Sequence, residues 1–425
     1  MPLLRAVGGL LAAISLSACL PSSTGSGGGS GSSGSGGGGG SGPAQIVMGD
    51  PSQYPNTAGG VFKFPQGHAY ANCAFPAYNT DTVATAYANW KTAFVVGSGS
   101  LRVQRPENGN DTVSEGMGYG MLLAVFMNDQ TTFDGLWSFV QSHLNGNGLM
   151  NWCQNAGGTN SCSGSGAATD GDEDIAFALL MAGKQWATAS YTSAATTMIG
   201  NIYSHEVESG SFVLKPGDNF GGSSEMDPSY LAPAYYRAFA RATNNSNWMS
   251  VLDKSYTILA AASGQYGLVP NWANSSGAGV SGTNGADGPN FGYDACRTPF
   301  RIALDYCLNG ETRAQTYVNL IAGFYASKVG TGSTVQPIKD GYTPSGGDPP
   351  STLGDYNAGM AFTGPAGVAA MAAGQDHLRD VVYTTLWQDT TQAARNFSGV
   401  FTYYHASWGL QALLFMSGNF WDMTQ

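Results

Sequence analysis

The chain contains the stretch Thr169-Asp-Gly-Asp-Glu-Asp-Ile-Ala-Phe-Ala-Leu-Leu-Met-Ala-Gly-Lys-Gln-Trp186. This stretch predicts a nearly uncharged helix with four acids at its start. Acids in a first helical turn complement the helix dipole and cap free N–H groups. Four neighbouring carboxylates also repel one another, and the whole chain has only 28 acids. Crowded carboxylates in a cleft are what acid–base catalysis on a neutral polar substrate requires. The stretch therefore indicates either helix capping or an active site.

Apolar residues recur at helical spacing along the chain, and this periodicity predicts twelve helices. Very short turns such as Asn128-Asp-Gln130 and Gly374-Gln375 join several neighbours, which makes them antiparallel hairpins. The sequence thus predicts an all-α fold of six helical hairpins closed into a ring, with an inner and an outer layer. The predicted helices cover residues 81–96, 115–128, 131–145, 171–187, 190–208, 227–243, 246–262, 295–308, 311–328, 356–374, 376–390 and 403–417.

Three of these helices, 171–187, 227–243 and 356–374, are rich in small and apolar residues and carry few charges. Such helices pack on more than one side, so we expect them in the inner layer. Loops on a rigid scaffold often carry binding and catalysis, and four long polar loops are expected to gather at one end of the ring. These loops are residues 146–170, 209–227, 263–294 and 329–355.

The N-terminus has the pattern of an export signal, with a basic start at Met1–Arg5 and an apolar run over residues 6–16. Its end, Leu16-Ser-Ala-Cys19, resembles a bacterial lipobox, which would make Cys19 the lipidated first residue of the mature chain. The alternative is an ordinary signal peptide with an incidental cysteine. Both alternatives predict a secreted or cell-surface protein, at the outer membrane or outside the cell. We therefore assign residues 1–19 to a lipoprotein-type signal peptide.

Residues 20–43 are mostly Gly and Ser and are predicted to form a flexible linker, while residues 44–425 form one large domain. The formal net charge of −11 argues against nucleic acid or an anionic membrane surface as a partner. Contact with a membrane is then expected only through a lipid on Cys19. Aromatic residues make up 12% of the chain, which suits a protein that stacks rings against sugars.

The cysteines suggest disulfides in an oxidising compartment rather than a metal site. Cys153 and Cys162 enclose a polar loop and are placed to pair. Cys296 and Cys307 are predicted on one helix, where eleven residues separate them by about 16 Å, too far for a disulfide. Cys73 is left to pair with one of those two, which leaves one buried thiol. No Cys-x-x-Cys occurs and the five His residues are scattered, so neither a metal nor another cofactor is expected.

Five motifs follow one another along the chain: Glu115-Gly-Met-Gly-Tyr-Gly-Met, Ala168-Thr-Asp-Gly-Asp-Glu-Asp-Ile-Ala, Lys215-Pro-Gly-Asp-Asn-Phe-Gly-Gly-Ser-Ser, Asp227-Pro-Ser-Tyr-Leu-Ala-Pro-Ala and Tyr293-Asp-Ala-Cys-Arg. These motifs, in this order, resemble those of glycoside hydrolase family 8, and the resemblance extends over residues 60–425. It implies an (α/α)6 barrel and an inverting, endo-acting hydrolase of β-1,4-linked polysaccharide. We expect the protein to be a monomer.

The resemblance implies that Glu115 is the general acid and Asp294 the general base, and that Asp170 holds the sugar in the central subsite. It also implies that Tyr230 contacts the base and its water. Inversion needs one carboxylic acid on the leaving oxygen and one carboxylate on a water across the ring. We expect burial and Asp170 to raise the pKa of Glu115, and Arg297 to help Asp294 stay ionised. The structural alternatives are helix starts for the acids and a plain ion pair between Arg297 and Asp294.

Four aromatic residues, Trp152, Phe220, Tyr293 and Tyr404, are candidates for sugar stacking, against core packing as the alternative. Phe220 stands where a cellulase of the family usually has Trp. The motif versions resemble those of endoglucanases and favour cellulose or mixed-linkage β-glucan, with xylan and chitosan as alternatives. A hypothesis from another class is a catalytically idle barrel that binds glucan at the cell surface; it predicts loss of an acid or a base, yet Glu115 and Asp294 are both present.

Overall fold

The computed structural model describes residues 47–157, 162, 166–349, 357–391 and 402–425. The predicted signal peptide, Cys19 and the linker at 20–43 lie outside the described residues. One compact unit runs from Ala44 to Gln425. Within the described part of the chain, no helix combines the length and the apolar character needed to cross a membrane.

Twelve α-helices make up about half of the described residues, and each corresponds to one of the helices predicted from periodicity. Two small antiparallel sheets accompany them, β1 (Val95–Ser98) with β2 (Ser100–Val103) and β3 (Thr112–Val113) with β4 (Cys153–Gln154). The helices are α1 (Thr80–Phe94), α2 (Ser114–Phe126), α3 (Gln130–Ser142), α4 (Thr169–Gln185), α5 (Ala189–His205), α6 (Pro233–Thr243), α7 (Asn247–Ala262), α8 (Thr298–Asn309), α9 (Thr312–Val329), α10 (Met360–Ala372), α11 (Asp376–Thr391) and α12 (Tyr403–Phe415).

The even-numbered helices form a closed inner ring in which α2 contacts α4, α4 contacts α6, and so on to α12, which contacts α2 again. Each odd-numbered helix packs outside as the partner of an even one, α3 on α2 through α11 on α10, with α1 on α12. This arrangement is an (α/α)6 barrel, as predicted. The three helices expected in the inner layer are α4, α6 and α10, and all three belong to the ring.

Helices α2 and α4 approach each other closely because glycines lie at their contact. A Cβ added to Gly118 would lie 2.6 Å from the Cβ of Asp174. A Cβ added to Gly171 would lie 2.7 Å from the backbone carbonyl carbon of Ser114. The two backbones therefore touch near their first turns, which brings the acids at the two helix starts together.

The prediction for the sixth helix was wrong at its start, which lies at Pro233 and not at residue 227. Residues Pro228–Tyr230 form a separate 3₁₀ turn, in which the side chain of Asp227 accepts a hydrogen bond from the N–H of Ser229 at 2.8 Å. The residue before a proline is biased away from helical geometry, so Pro233 separates the turn from the helix. Asp227 is thereby fixed in front of α6 rather than within it.

The four long loops are hydrogen-bonded to one another in series and form one rim of the barrel. The first bonds to the second, the second to the third, and the third to the fourth. The backbone bonds join Thr169 to Pro216, Met226 to Ala273, and Phe291 to Tyr342, at 2.8 to 3.2 Å. This continuous rim stands at the starts of the inner helices that follow the loops.

Two disulfides join Cys73 to Cys307 and Cys153 to Cys162, while Cys296 is a free, buried thiol among the described residues. Cys296 lies in a 3₁₀ turn directly before α8, which carries Cys307. The predicted pair at 153 and 162 is thus confirmed. The partner of Cys73, which the sequence left open, is Cys307.

Candidate active site

Arg297 lies at the centre of an acidic cluster at the rim, with only 2% of its surface exposed. Its Nη1 donates hydrogen bonds to Glu115 Oε2 and to Asp170 Oδ2, both at 2.8 Å. Its Nη2 donates to Asp227 Oδ2 at 3.0 Å and to Asp294 Oδ1 at 3.4 Å. Four carboxylates therefore share one buried cation.

One guanidinium cannot neutralise four ionised carboxylates, so protonation of some of them is favoured. Burial raises the pKa of Glu115; Arg297 opposes this shift and the charge of Asp170 reinforces it. Burial also raises the pKa of Asp227 to about 8, against the attraction of Arg297 and with the repulsion of Asp294. The direction expected for Glu115 from the sequence is confirmed, and it suits a group that donates a proton near neutral pH.

Each member of the cluster lies at the start of an inner helix or in a turn that precedes one. Glu115 and Asp170 are the second residues of α2 and α4. Asp227 lies in the turn before α6, and Asp294 and Arg297 lie in the turn directly before α8. The N-terminal ends of α2, α4 and α8 thus converge on the cluster, and their dipoles favour negative charge there.

A cavity of about 480 Å³ opens at this point and is lined by both Glu115 and Asp294. The side chain of Glu115 is 18% exposed and that of Asp294 is 29% exposed, whereas Asp170 is buried. A ligand in the cavity can therefore reach the predicted acid and the predicted base. The remaining lining residues are Arg105, Glu107, Asn108, Tyr293, Thr402, Tyr403, Tyr404 and His405.

Sequence reasoning missed two aromatic residues that bind the predicted acid and the predicted base. The hydroxyl of Tyr403 donates a hydrogen bond to Glu115 Oε1. The indole Nε1 of Trp272 donates to Asp294 Oδ2 at 3.2 Å. Tyr403 begins α12 and Trp272 lies in the third long loop, so neither is near its partner in sequence. No local pattern identifies such contacts, because they arise only when the ring closes.

Comparisons with known proteins assign the chain to a family. The chain matches the model of glycosyl hydrolases family 8 over residues 62–418. The chain belongs to this family. Endoglucanase A of Acetivibrio thermocellus is 40% identical over 353 residues, which cover 80% of this chain and 70% of that protein. The beta-glucanase of Niallia circulans is 34% identical and covers 84% of this chain and 91% of its own.

The solved structures that resemble this family 8 hydrolase include both glucan- and xylan-related proteins. The β-1,3-1,4-glucanase of Paenibacillus sp. X4 superposes with a TM-score of 0.75 at 31% identity, over 85% of this chain and 99% of that one. A xylanase from Teredinibacter turnerae superposes with a TM-score of 0.70 at 20% identity, over 81% and 94%. Because the identity to the xylanase is only 20%, this similarity shows a shared fold and nothing more.

The aromatic residues predicted in this family 8 hydrolase fall into two groups. Tyr293 and Tyr404 line the cavity, and the Tyr404 hydroxyl donates to the backbone carbonyl of Tyr293 at 2.6 Å. Trp152 is 37% exposed and Phe220 is 43% exposed, so a purely core role does not fit either ring. The backbone carbonyl of Trp152 accepts a hydrogen bond from the N–H of Ser114 at 2.9 Å, which places Trp152 beside the start of α2.

Tyr230 lies beneath Arg297, whose guanidinium carbon stands 5.0 Å from the centre of the ring. This cation–π contact stabilises the buried guanidinium in addition to its hydrogen bonds. Burial raises the pKa of Tyr230 well above its ordinary value, so the ring is neutral. Its predicted contact with the base and the water stays a prediction.

The acidic stretch at 169–174 proves to have two separate roles. Asp170 alone joins the Arg297 cluster. Asp174 pairs with Arg301 through two hydrogen bonds of 3.1 and 3.0 Å. Asp172 accepts the N–H of Met150 at 2.8 Å, and burial raises its pKa well above the ordinary value. Asp172 and Asp174 therefore stabilise the barrel wall, and Asp170 is the acid of this stretch that reaches the Arg297 cluster.

Among the described residues, one group of three side chains has spacing suited to a metal: Asp111, Cys153 and Cys162. The two cysteines are joined in a disulfide and offer no thiolate. Asp111 itself is bound in a two-pronged ion pair by Arg105. These three residues therefore stabilise the fold through a disulfide and an ion pair.

Proposed function

We propose that this family 8 hydrolase cleaves internal β-1,4 bonds of cellulose or mixed-linkage β-glucan with inversion at the anomeric carbon. The observation that carries the proposal is that Glu115 and Asp294 reach one cavity while bound to opposite ends of the Arg297 guanidinium. An inverting enzyme needs its two carboxyl groups roughly 6.5–9.5 Å apart, so that a water molecule fits beside the base.

Glu115 acts as the general acid in this mechanism. Its pKa is raised by burial, so a fraction of the enzyme carries the proton needed at the leaving oxygen. When the proton moves to the glycosidic oxygen, the bond to the anomeric carbon breaks. The carboxylate that remains is stabilised by Arg297, whose hydrogen bond to Glu115 Oε2 is already in place.

Asp294 acts as the general base. Arg297 and Trp272 each donate a hydrogen bond to its carboxylate, which orients the group toward the cavity. Asp294 removes one proton from a water on the ring face opposite Glu115, and the water oxygen bonds to the anomeric carbon. Solvent then returns a proton to Glu115 and takes one from Asp294, which completes the cycle.

Asp170 is suited to hold the sugar at the point of cleavage. One of its oxygens bonds to Arg297, while Oδ1 is buried and has no partner among the described residues. A buried carboxylate oxygen without a partner is costly, and a sugar hydroxyl that donates to it would remove that cost. This supports the role that the family resemblance implies for Asp170.

The glucan assignment is supported by the relatives and by the cavity. Two relatives with substantial coverage carry the names endoglucanase and beta-glucanase. The tyrosines of the cavity and the exposed rings of Trp152 and Phe220 offer flat surfaces for pyranose rings. The name endoglucanase of a relative 40% identical supports endo action.

The test is release of reducing ends from carboxymethyl-cellulose, mixed-linkage glucan, xylan and chitosan. The wild type is compared with Glu115→Gln and Asp294→Asn, and with Asp253→Asn as a control at an exposed acid on α7. We expect release from the two glucans, losses of several orders of magnitude in both cavity variants, and wild-type rates in the control. Faster release from xylan or chitosan would overturn the substrate; no release from any polymer would favour the idle binding barrel.

We also infer export to the cell surface with a lipid on Cys19. The disulfides Cys73–Cys307 and Cys153–Cys162 support an oxidising compartment. The test is a Cys19→Ser variant compared with wild type in a fractionated bacterial host. We expect wild-type protein in the membrane fraction and the variant in the soluble exported fraction; equal distribution would contradict the lipid anchor.

A further inference from the structure

Tyr403 occupies a place in the cavity that the proposed reaction has not yet used. Its hydroxyl donates to Glu115 Oε1, while Arg297 donates to Glu115 Oε2. Both oxygens of the proposed acid are thus held by the protein before any substrate arrives. These two donors differ in chemistry, and the difference suggests what Tyr403 does.

Arg297 has only N–H donors, so its bond to Glu115 favours the ionised carboxylate and is weakened when the carboxyl group is protonated. A tyrosine hydroxyl can both donate and accept. Tyr403 can therefore accept from the protonated acid and, after rotation of its O–H, donate to the carboxylate. The second bond is charge-assisted and the stronger of the two.

We propose that Tyr403 is a positioning residue that fixes the orientation of the Glu115 carboxyl group and stabilises the carboxylate left when its proton passes to the leaving oxygen. This inference rests on the proposed function of Glu115 as the general acid. The proton moves from Glu115 to the glycosidic oxygen, and the Tyr403 hydroxyl keeps its own proton throughout. Burial raises the pKa of Tyr403 well above its ordinary value, which keeps the hydroxyl protonated.

The position of the Tyr403 ring is set by elements other than its hydroxyl. A Cβ on Gly116 would lie 3.2 Å from Tyr403 Cε2, so the glycine after the acid leaves room for this ring. Phe94 meets the ring edge-on with centroids 6.5 Å apart. The N–H of Tyr403 donates to Glu107 Oε1 at 3.2 Å. Removal of the hydroxyl alone is therefore expected to leave the ring in place.

The test uses Tyr403→Phe, with Tyr317→Phe on outer helix α9 as the matched control, because its buried hydroxyl is remote from the cavity. We expect kcat on β-glucan to fall on the order of tenfold with little change in KM, since a hydrogen bond to a charged group is lost. The alkaline limb of the kcat/KM profile should move to higher pH, because the carboxylate of Glu115 loses a donor. The control should match wild type in both readouts.

A second substrate distinguishes a role in proton transfer from a structural one. A dinitrophenyl β-cello-oligosaccharide has a leaving group that departs without protonation. Tyr403→Phe and Glu115→Gln should both recover most of the wild-type rate on it, and Asp294→Asn should not. If Tyr403→Phe is equally slow on both substrates, or its alkaline limb stays at the wild-type pH, the inference is wrong.

Failure of the proposed function has a different signature. If Glu115→Gln keeps its rate on the polymer, the acid is misassigned, and the inference falls with it. If Glu115→Gln behaves as expected and Tyr403→Phe matches wild type, only the inference falls. Should Tyr403→Phe misfold, site-specific Tyr403→3-fluorotyrosine keeps the ring and strengthens the donor; the alkaline limb should then move to lower pH, and an unchanged limb would contradict the inference.

Discussion

At the scale of single residues, Arg297 determines how the site works. Its two terminal nitrogens reach four carboxylates that come from four different helix starts. A planar, permanently charged fork can make these contacts together, whereas a lysine offers one ammonium group. Removing the fork would leave buried carboxylates without a cation, which is costly for stability as well as for catalysis.

Arg297→Lys is therefore expected to lower the free energy of unfolding by about 3–5 kcal/mol, because several buried carboxylates lose their donor. We also expect kcat/KM to fall on the order of a hundredfold or more, since the acid and the base lose their shared anchor. Urea unfolding and initial rates on soluble glucan measure the two effects. Lys339→Arg, in an exposed ion pair with Asp348, should change stability by less than about 1 kcal/mol. Equal effects in both variants would contradict a central role for Arg297.

Local sequence was sufficient for the residues that lie inside motifs and insufficient for their partners. Glu115, Asp170, Asp294 and Arg297 could be named because each stands in a recognisable motif at a helix start. Tyr403 and Trp272 could not, since their contacts depend on how α12 and a long loop meet other parts of the ring. Asp227 lies within one of the motifs, but nothing in the sequence indicated its hydrogen bond to Arg297.

At the scale of elements, the contact between α2 and α4 sets the distance between Glu115 and Asp170. Gly171 lets the two first turns touch, because any Cβ there would meet the backbone of Ser114. Periodicity predicted both helices and their burial, yet it could not show which glycines are contacts. Periodicity also missed the 3₁₀ turn before α6, because it predicted one continuous helix through this motif and took no account of Pro233.

Gly171→Ala is expected to push α2 and α4 apart at their first turns. Overpacking of this kind costs about 1–3 kcal/mol of unfolding free energy. Misplacement of Glu115 by a fraction of an ångström should also lower kcat on the order of tenfold or more. Thermal or urea unfolding and initial rates measure both.

The matched control is Gly200→Ala on outer helix α5, where an added Cβ meets nothing within 4 Å. That change should stabilise the chain by about 0.4–1 kcal/mol and leave kcat unchanged. A Gly171→Ala enzyme as stable and as active as wild type would contradict the close-packing explanation for the paired acids.

At the scale of the whole molecule, the barrel buries more acids than its active site needs. Asp172 and Glu206 are both fully buried on α4 and at the end of α5. Burial raises the pKa of each well above its ordinary value; the charge of Asp170 adds to the shift of Asp172, and the charge of Asp172 adds to the shift of Glu206. Composition predicted an acidic protein, but it could not predict which acids the ring would enclose.

These raised pKa values make stability depend on pH in a definite direction. A buried acid keeps its proton in the folded chain at a pH where the unfolded chain has released it. Its contribution is fully present below the ordinary pKa of 4.5 for Glu206 and is lost as pH rises toward the folded value. The free energy of unfolding should therefore fall as the pH rises above 4.5.

Glu206→Gln should reduce that fall, because an amide has no proton to lose. We expect the stability of the variant to rise relative to that of wild type as the pH increases, with little difference below the ordinary pKa of 4.5. Urea unfolding at several pH values measures the effect, and Asp348→Asn at an exposed ion pair is the control. An identical pH dependence in Glu206→Gln and wild type would mean that Glu206 is not protonated in the fold.

The central claim, inversion by Glu115 and Asp294, is tested most directly by the configuration of the newly formed reducing ends. Proton NMR of a soluble β-glucan, recorded in the first minutes after adding enzyme, distinguishes the α- from the β-anomer before mutarotation mixes them. We predict that the α-anomer appears first and that the β-anomer follows only by mutarotation. Initial formation of the β-anomer would contradict it, because retention requires a covalent intermediate rather than a base-activated water.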